Sequence, residues 1–292
     1  MTTVGFVGAT GLMGHGMAKN IAKAGYDLRF TLRSDSDRVD DLIELGAQRV
    51  DDHAALGREC DIVVICVTAS RDVEEVVEGL LIEPRERMVI VDTSTSEPSS
   101  TLRLGALARA KNVGYVDAPL TKGPAAAEAG ELNTMVGGQE FDVEKALPVI
   151  EAYAGYVLPT GDLGTAHTLK LINNTVIQSF CHSLAEGFAV AAKSGLDPKL
   201  VETILGSGGM ESAFLHAIAN GLDGDNSGME FYIDNARKDV RYYNRLAAEL
   251  GVVLPIGSAT HQSLATASAL GFGQEFVPTI VKAQGKLNGV DL

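Results

Sequence analysis

The chain of 292 residues has little cysteine, fewer basic than acidic residues and no long apolar run. Its three cysteines, Cys60, Cys66 and Cys181, are odd in number and lack the paired spacing of a zinc site. That excludes a disulfide framework and predicts buried, reduced thiols and no metal. Lysine and arginine total 24 against 38 acids, a formal charge of −14. Binding phosphate backbones needs a concentrated basic surface, so this balance excludes nucleic acid as a partner. A small anionic substrate remains allowed, because a few local cations outweigh diffuse charge beyond a Debye length of about 10 Å. The longest apolar stretches, such as 62–67 and 88–91, fall far short of a bilayer span, so no membrane partner is expected. No basic-then-apolar segment opens the chain. Residues 4–8 run straight into a glycine loop, and the expectation is a cytoplasmic protein with no signal peptide. Internal repeats and low-complexity tracts are also lacking.

What is present is a globular composition, 46% apolar and 21% charged. In the first half, short β-branched runs at 4–7, 28–32, 62–67, 88–91 and 114–116 alternate with segments of helical periodicity. Two further strands are predicted at 132–136 and 156–159, flanking a helix near 143–153. Unbroken apolar strands alternating with helices predict an α/β, doubly wound, mostly parallel sheet covered on both faces. After about residue 163 the pattern changes. The run 165–193 holds no proline and no glycine except Gly187, and Leu169, Ile172, Val176, Phe180, Leu184, Phe188 and Ala191 recur in steps of three and four. That is one helix of about 28 residues, roughly 40 Å long. Lys193 and Gly195 end it, and Asp197-Pro198 opens the next. The remainder is helical, punctuated at 207–209 and 221–228. Two domains follow: 1–163, α/β and cofactor-binding, and 164–292, all-helical, joined by the long helix.

Three constellations carry chemistry. The first, Gly8-Ala-Thr-Gly11-Leu12-Met13-Gly14, lies between the first strand and the first helix. Glycines there let the backbone approach a pyrophosphate whose charge sits on a helix N-terminus, although the usual spacing is G-x-G-x-x-G. The second is Thr31-Leu32-Arg33-Ser34 at the end of the second strand, where an acid would accept the ribose hydroxyls of NAD. A guanidinium fork at Arg33 and the hydroxyl of Ser34 suit a 2′-phosphate, which predicts NADP over NAD. Asp35 and Asp37 stand against it as competing partners for Arg33. The third is Lys170 with Asn174, neighbours on one helix face. An ammonium among Leu169, Leu171 and Ile172 loses solvation and can exchange protons near neutral pH, and the amide can orient it or a substrate oxygen. A lysine on an amphipathic helix is ordinarily just solvated; the adjoining loop 161–164 and the cofactor site favour the catalytic reading. His15, His167 and His182 are rival bases, with His167 expected to pack at the helix start.

Further segments fall in a familiar order: Gly11-Leu-Met-Gly14 with Met17-Ala-Lys-Asn20, Asp92-Thr-Ser-Thr95, Asp117-Ala-Pro-Leu-Thr-Lys-Gly123 with Gly130 and Gly137-Gly138, Gly164 to Asn174, and Phe231 with Lys238-Asp239. Across nearly its whole length the chain resembles the β-hydroxyacid dehydrogenases, the family of 3-hydroxyisobutyrate dehydrogenase and 2-hydroxy-3-oxopropionate reductase. The resemblance implies a Rossmann domain, a helical substrate and dimerisation domain, homodimers or homotetramers, and hydride exchange between a nicotinamide cofactor and a small semialdehyde or hydroxyacid. It also implies that Lys170 is the general acid/base, that Asn174 orients substrate, and that Thr121, Lys122 and Gly123 bind it. Thr95 and Lys238 would join the glycine loop in holding the cofactor. Three departures stand out: the extra residue in the glycine loop, Ala166 for a common glycine, and Thr121-Lys122-Gly123 for the common Ser-Gly-Gly. The added cation of Lys122 predicts a strongly anionic substrate. Two alternatives are an imine reductase, which typically lacks the lysine, and a non-catalytic nucleotide-binding homologue, which would lose the Lys170–Asn174 pair.

Overall fold

The computed structural model describes residues 2–33 and 37–292, so Ser34 lies outside the described residues. The chain divides into two compact units, Met1–Lys170 and Leu171–Leu292. In the first, strands β1 (Thr3–Val7), β2 (Asp27–Thr31), β3 (Gln48–Arg49), β4 (Ile62–Ile65), β5 (Val89–Asp92), β6 (Gly114–Asp117), β7 (Leu120–Thr121), β8 (Leu132–Gly138) and β9 (Ala154–Gly161) form one sheet. The order is β3-β2-β1-β4-β5-β6-β8-β7, with β9 on β8. Pairs from β3 through β6 are parallel, β8 runs antiparallel to β6, and β9 is parallel to β8. The chain winds outward in both directions from β1, which makes the β1/β4 junction the topological switch point, where such sheets bind ligands.

Helices α1 (Gly14–Lys23), α2 (Asp40–Glu44), α3 (His53–Glu59), α4 (Ser70–Leu80), α5 (Pro98–Ala110), α6 (Pro124–Ala129) and α7 (Glu140–Ile150) complete this unit. Central strands bury every residue because successive side chains feed two cores. Ile62, Val64, Val89 and Val91 pack with Met17, Ile21, Leu132 and Ile150. Val63, Ile65 and Ile90 pack on the other face with Leu56, Val73, Leu80 and Leu104. The predicted strands are all present; β3 and β7, two residues each, are too short to leave a periodicity. The helix expected near 143–153 starts earlier, at Glu140, where Glu140 and Asp142 favour the positive end of the helix dipole.

Helix α8 (Thr165–Lys193) has the predicted bounds, and Gly195 follows it at φ +80°. Beyond it come α9 (Lys199–Gly206), α10 (Ala213–Asn220), α11 (Ile233–Leu250), α12 (Pro255–Ala267) and α13 (Ile280–Asn288). The Asp197 carboxylate accepts the Lys199 N–H at 3.0 Å, as the predicted cap. Cys181, Leu184, Phe188, Leu215, Ile218, Ile233, Val240 and Ile280 form the core of this second unit. Among the described residues no helix is long and apolar enough to cross a membrane. Cys60 and Cys181 are buried free thiols, each pushed up to about 12 by desolvation, whereas Cys66 is only half-buried by exposed area.

Candidate active site

At the end of β1 the chain turns through Gly8, whose φ of +97° suits glycine. A Cβ there would stand 2.1 Å from the Cys66 carbonyl oxygen, and one at Gly14 would stand 2.2 Å from the Gly8 oxygen. Strand, turn and helix therefore meet backbone to backbone. The first turn of α1 has no acidic side chain and no side-chain cap. This cradle fits a pyrophosphate, which would be met by peptide N–H groups and the positive end of the helix. Gly11 and Leu12 are exposed beside it, and Met13 is half-buried.

Arg33 is exposed just after β2. A second arginine escaped the sequence reading: Arg38 donates to the Thr10 carbonyl at 3.1 Å, carrying a cation back onto the glycine loop. The only trace of it in the sequence was a second base five residues after Arg33.

Helix α1 is locked to α6. A Cβ on Gly16 would lie 2.5 Å from the Ala127 backbone, and the Asn20 amide donates to the carbonyls of Gly16 and Ala127 at 2.8 and 2.9 Å. Helix α6 follows directly on Thr121-Lys122-Gly123, so the predicted substrate segment is joined to the cofactor helix. Thr121 is half-buried at the end of β7, and the Gly123 carbonyl accepts the Ala126 N–H at the start of α6. Lys122 adopts φ +73°, the left-handed region, which a residue with a Cβ enters only at a steric cost that glycine does not have. Its side chain is exposed, and Nζ donates to the Glu131 carbonyl at 2.8 Å.

Register sets Asp92 beside Asp117 at the carboxyl ends of β5 and β6, and both carboxylates are fully buried. Asp92 accepts the Ser94 N–H at 2.9 Å and the Ser96 hydroxyl at 3.0 Å, folding the Thr95 turn over itself. Asp117 accepts the N–H groups of Gly164 at 2.9 Å and His167 at 2.8 Å, capping α8 from 50 residues away. Burial pushes the Asp117 carboxyl above the usual carboxylate range, against the pull of His167 and of these N–H donors. Gly137 makes room, since a Cβ there would lie 2.7 Å from Asp117 Oδ1. His167 packs at the helix start as expected, fully buried, and Lys170 follows one turn later, half-buried.

In the second unit Asn174 is buried and donates to Asp239 Oδ2 at 2.6 Å, while its own Oδ1 accepts from Asn173 at 3.1 Å. Lys238 Nζ stands 3.0 Å from Asp239 Oδ1 and 5.3 Å from the centre of the Tyr242 ring. The amide that the sequence marked is thus oriented by Asp239. Of the other histidines, His15 pairs with Asp41 at 3.2 Å. His182, lowered to about 4 by burial, lines a cavity of about 840 Å³ beside Lys193, Ala267 and Leu270.

The family model for the NAD binding domain of 6-phosphogluconate dehydrogenase matches residues 3–161. The one for NAD-binding of NADP-dependent 3-hydroxyisobutyrate dehydrogenase matches residues 164–283. The 2-(hydroxymethyl)glutarate dehydrogenase of Eubacterium barkeri is 31% identical over 99% of this chain and 97% of its own length. The chain belongs to the β-hydroxyacid dehydrogenase family. It is an NAD(P)-dependent oxidoreductase acting on a CH–OH group. The 3-hydroxyisobutyrate dehydrogenase of Pseudomonas aeruginosa is 32% identical over 70% of this chain and 69% of its own. The solved Mycobacterium tuberculosis 3-hydroxyisobutyrate dehydrogenase with L-serine superposes with a TM-score of 0.85. It covers 97% of this chain and 98% of that one at 24% identity, a likeness of fold.

Proposed function

We propose that this dehydrogenase uses NADP to interconvert a small, strongly anionic semialdehyde and its hydroxyacid, with Lys170 as general acid/base. The observation that carries the reading is Lys170 itself, on a helix whose first turn is anchored to the sheet by Asp117. The bound nicotinamide supplies or accepts the hydride. In reduction, Lys170 Nζ gives a proton to the aldehyde oxygen as the C–H bond forms, and in oxidation it takes that proton from the hydroxyl. Asn174, its amide held by Asp239, hydrogen-bonds a substrate oxygen, and Lys238 contacts the cofactor. Thr121, Lys122 and the Gly123 N–H receive the anionic end. The enzyme works in the cytoplasm as a homodimer or homotetramer, and the exposed apolar Val176, Val190 and Leu287 of the helical unit support contact with a second copy. Incubating the purified protein with NADPH and a panel of semialdehydes, and following loss of reduced-nicotinamide absorbance, tests the reading. A panel with no turnover in either direction would overturn it.

Arg33 and Arg38 support the choice of NADP, since both are cations near the glycine loop or the end of β2. Arg33→Ala should weaken NADPH binding by about 10- to 150-fold, the worth of one charge-assisted contact, and leave NADH binding nearly unchanged. Equal losses for both cofactors in a fluorescence titration would remove Arg33 from the 2′-phosphate.

Lys122 supports the strongly anionic substrate, as does similarity to a dehydrogenase named for 2-(hydroxymethyl)glutarate, a dicarboxylate. Lys122→Gly relieves a left-handed residue worth about 1–2 kcal/mol and loses one exposed hydrogen bond of about 1 kcal/mol, so stability should barely move. Selectivity should move: kcat/KM for a doubly charged semialdehyde falls by about 10-fold relative to a singly charged one, equivalent to 1.4 kcal/mol. A constant ratio between the two would leave Lys122 as a tether to the Glu131 carbonyl and nothing more.

A further inference from the structure

Between the Thr95 turn and the start of α8 lies a buried group that the mechanism above does not use. His167 has no exposed surface and makes side-chain hydrogen bonds in two directions. Nε2 stands 3.1 Å from the Ser94 carbonyl oxygen, and because a carbonyl only accepts, Nε2 bears the hydrogen. Nδ1 stands 2.7 Å from the Thr101 hydroxyl of α5. The ring also lies between the two buried carboxylates, 3.8 Å from Asp92 and 3.9 Å from Asp117. Its own backbone N–H is bound by Asp117 at 2.8 Å.

Ser94 is pinned as completely from its side. Its N–H donates to Asp92, its hydroxyl accepts the Val67 N–H at 3.1 Å, and its carbonyl accepts from His167. The next residue is Thr95. Three residues beyond His167 is Lys170. The imidazole is thus a side-chain bridge from the turn that presents Thr95 to the helical turn that presents Lys170, with sequence separations of 73 to Ser94 and 66 to Thr101.

We propose that His167 is a positioning residue: it fixes the Ser94–Ser96 turn and the first turn of α8 as one piece, so that Thr95 and Lys170 keep a constant separation. The proposal rests on the reading of Thr95 as a cofactor contact and Lys170 as the acid/base. A buried polar group whose hydrogen bonds are all made holds one arrangement, and losing one partner exposes the cost of the other. Small displacements of a proton donor from the oxygen it protonates, or of the hydride carrier from the reacting carbon, lower turnover steeply.

The test compares His167→Phe, which keeps a flat ring but neither hydrogen bond, with His167→Gln, whose amide can reach the Ser94 carbonyl. Both are measured for NADPH affinity in the binary complex, for kcat and KM separately, and for the isotope effect with cofactor deuterated at the transferring carbon. His167→Phe should lower kcat by about 10-fold or more per NADPH-binding site, with KM and NADPH affinity within about 3-fold of normal and a larger isotope effect. His167→Gln should recover most of the loss. Hydrogen exchange in the cofactor-free protein should quicken at residues 93–96 and 165–170 together in the Phe variant. A kcat per binding site and an isotope effect equal to wild type would overturn the proposal, because a packing role lowers the folded fraction and not the rate of folded enzyme. Exchange that quickens in one segment alone would also overturn it. If His167→Phe does not fold, His167→Leu, which also removes both ring hydrogen bonds but with a smaller side chain, is held to the same outcomes. Failure of the lysine reading is separate: it appears as normal turnover in a Lys170 variant, whatever the His167 variants do.

Discussion

Lys170→Ala is expected to fold, bind NADPH with near-normal affinity and lose turnover by at least about 100-fold, the lower end of a general acid–base contribution. Folding should survive because alanine is the best helix former, and the anchors of this turn are the Gly164 and His167 N–H groups on Asp117, which the substitution leaves alone. Lys170→Arg separates two roles. It keeps a positive charge at the site but cannot release its proton near neutral pH, so a proton-transfer role predicts that it stays inactive and a purely electrostatic role predicts partial recovery. Turnover is compared at equal NADPH-binding site concentration, with the thermal midpoint as a check on folding. Near-normal turnover in the alanine variant would mean that another group, or water, moves the proton.

The fold was legible where physics is local. Apolar strands of four or five residues between periodic helices predicted the sheet, and the run from Thr165 to Lys193 without proline predicted α8, because each signal lies within one element. The strands β3 and β7 were not, since two residues carry no period. The site divides in the same way. Gly8, Gly14, Lys170 and Asn174 could be marked as candidates, because the features that mark them lie among neighbours in sequence. The partners that hold them could not. Asp117 caps α8 across 50 residues, His167 reaches Ser94 across 73, and Asp239 holds Asn174 across 65. The first two close only once the sheet sets Asp92 against Asp117, and the third only once α8 packs on α11, so the sequence offers a buried acid at a strand end and no sign of what it holds. Lys122 shows the reverse. Its departure from glycine was visible at once, but its left-handed backbone and its bond to Glu131 were not.

The glycine loop gives the other large effect, and its three glycines should not behave alike. Gly8→Ala puts a methyl 2.1 Å from the Cys66 carbonyl oxygen at φ +97°, so both space and backbone conformation forbid it. A strained left-handed residue costs about 1–2 kcal/mol, and relieving the clash means moving the end of β1 or β4, for a total of about 2–4 kcal/mol. That is a large share of the stability of a typical domain, about 5–15 kcal/mol. Gly14→Ala meets the Gly8 oxygen at 2.2 Å and should be comparably severe. Gly11 differs. Its φ is not positive, and an added Cβ comes no closer than 3.2 Å to the Gly8 oxygen, so Gly11→Ala should change stability by less than about 1 kcal/mol. Yet Gly11 is exposed on the loop that is read as the pyrophosphate cradle, where a methyl would hold the diphosphate off the peptide N–H groups. Its affinity for NADPH should therefore fall by about 10-fold or more while its unfolding midpoint in urea stays put. The pair of measurements separates what the extra-residue loop needs for packing from what it needs for binding. If Gly11→Ala bound NADPH as tightly as wild type, the diphosphate would not sit over Gly11, and the G-x-x-G-x-x-G spacing would be a way of turning the chain between Gly8 and Gly14.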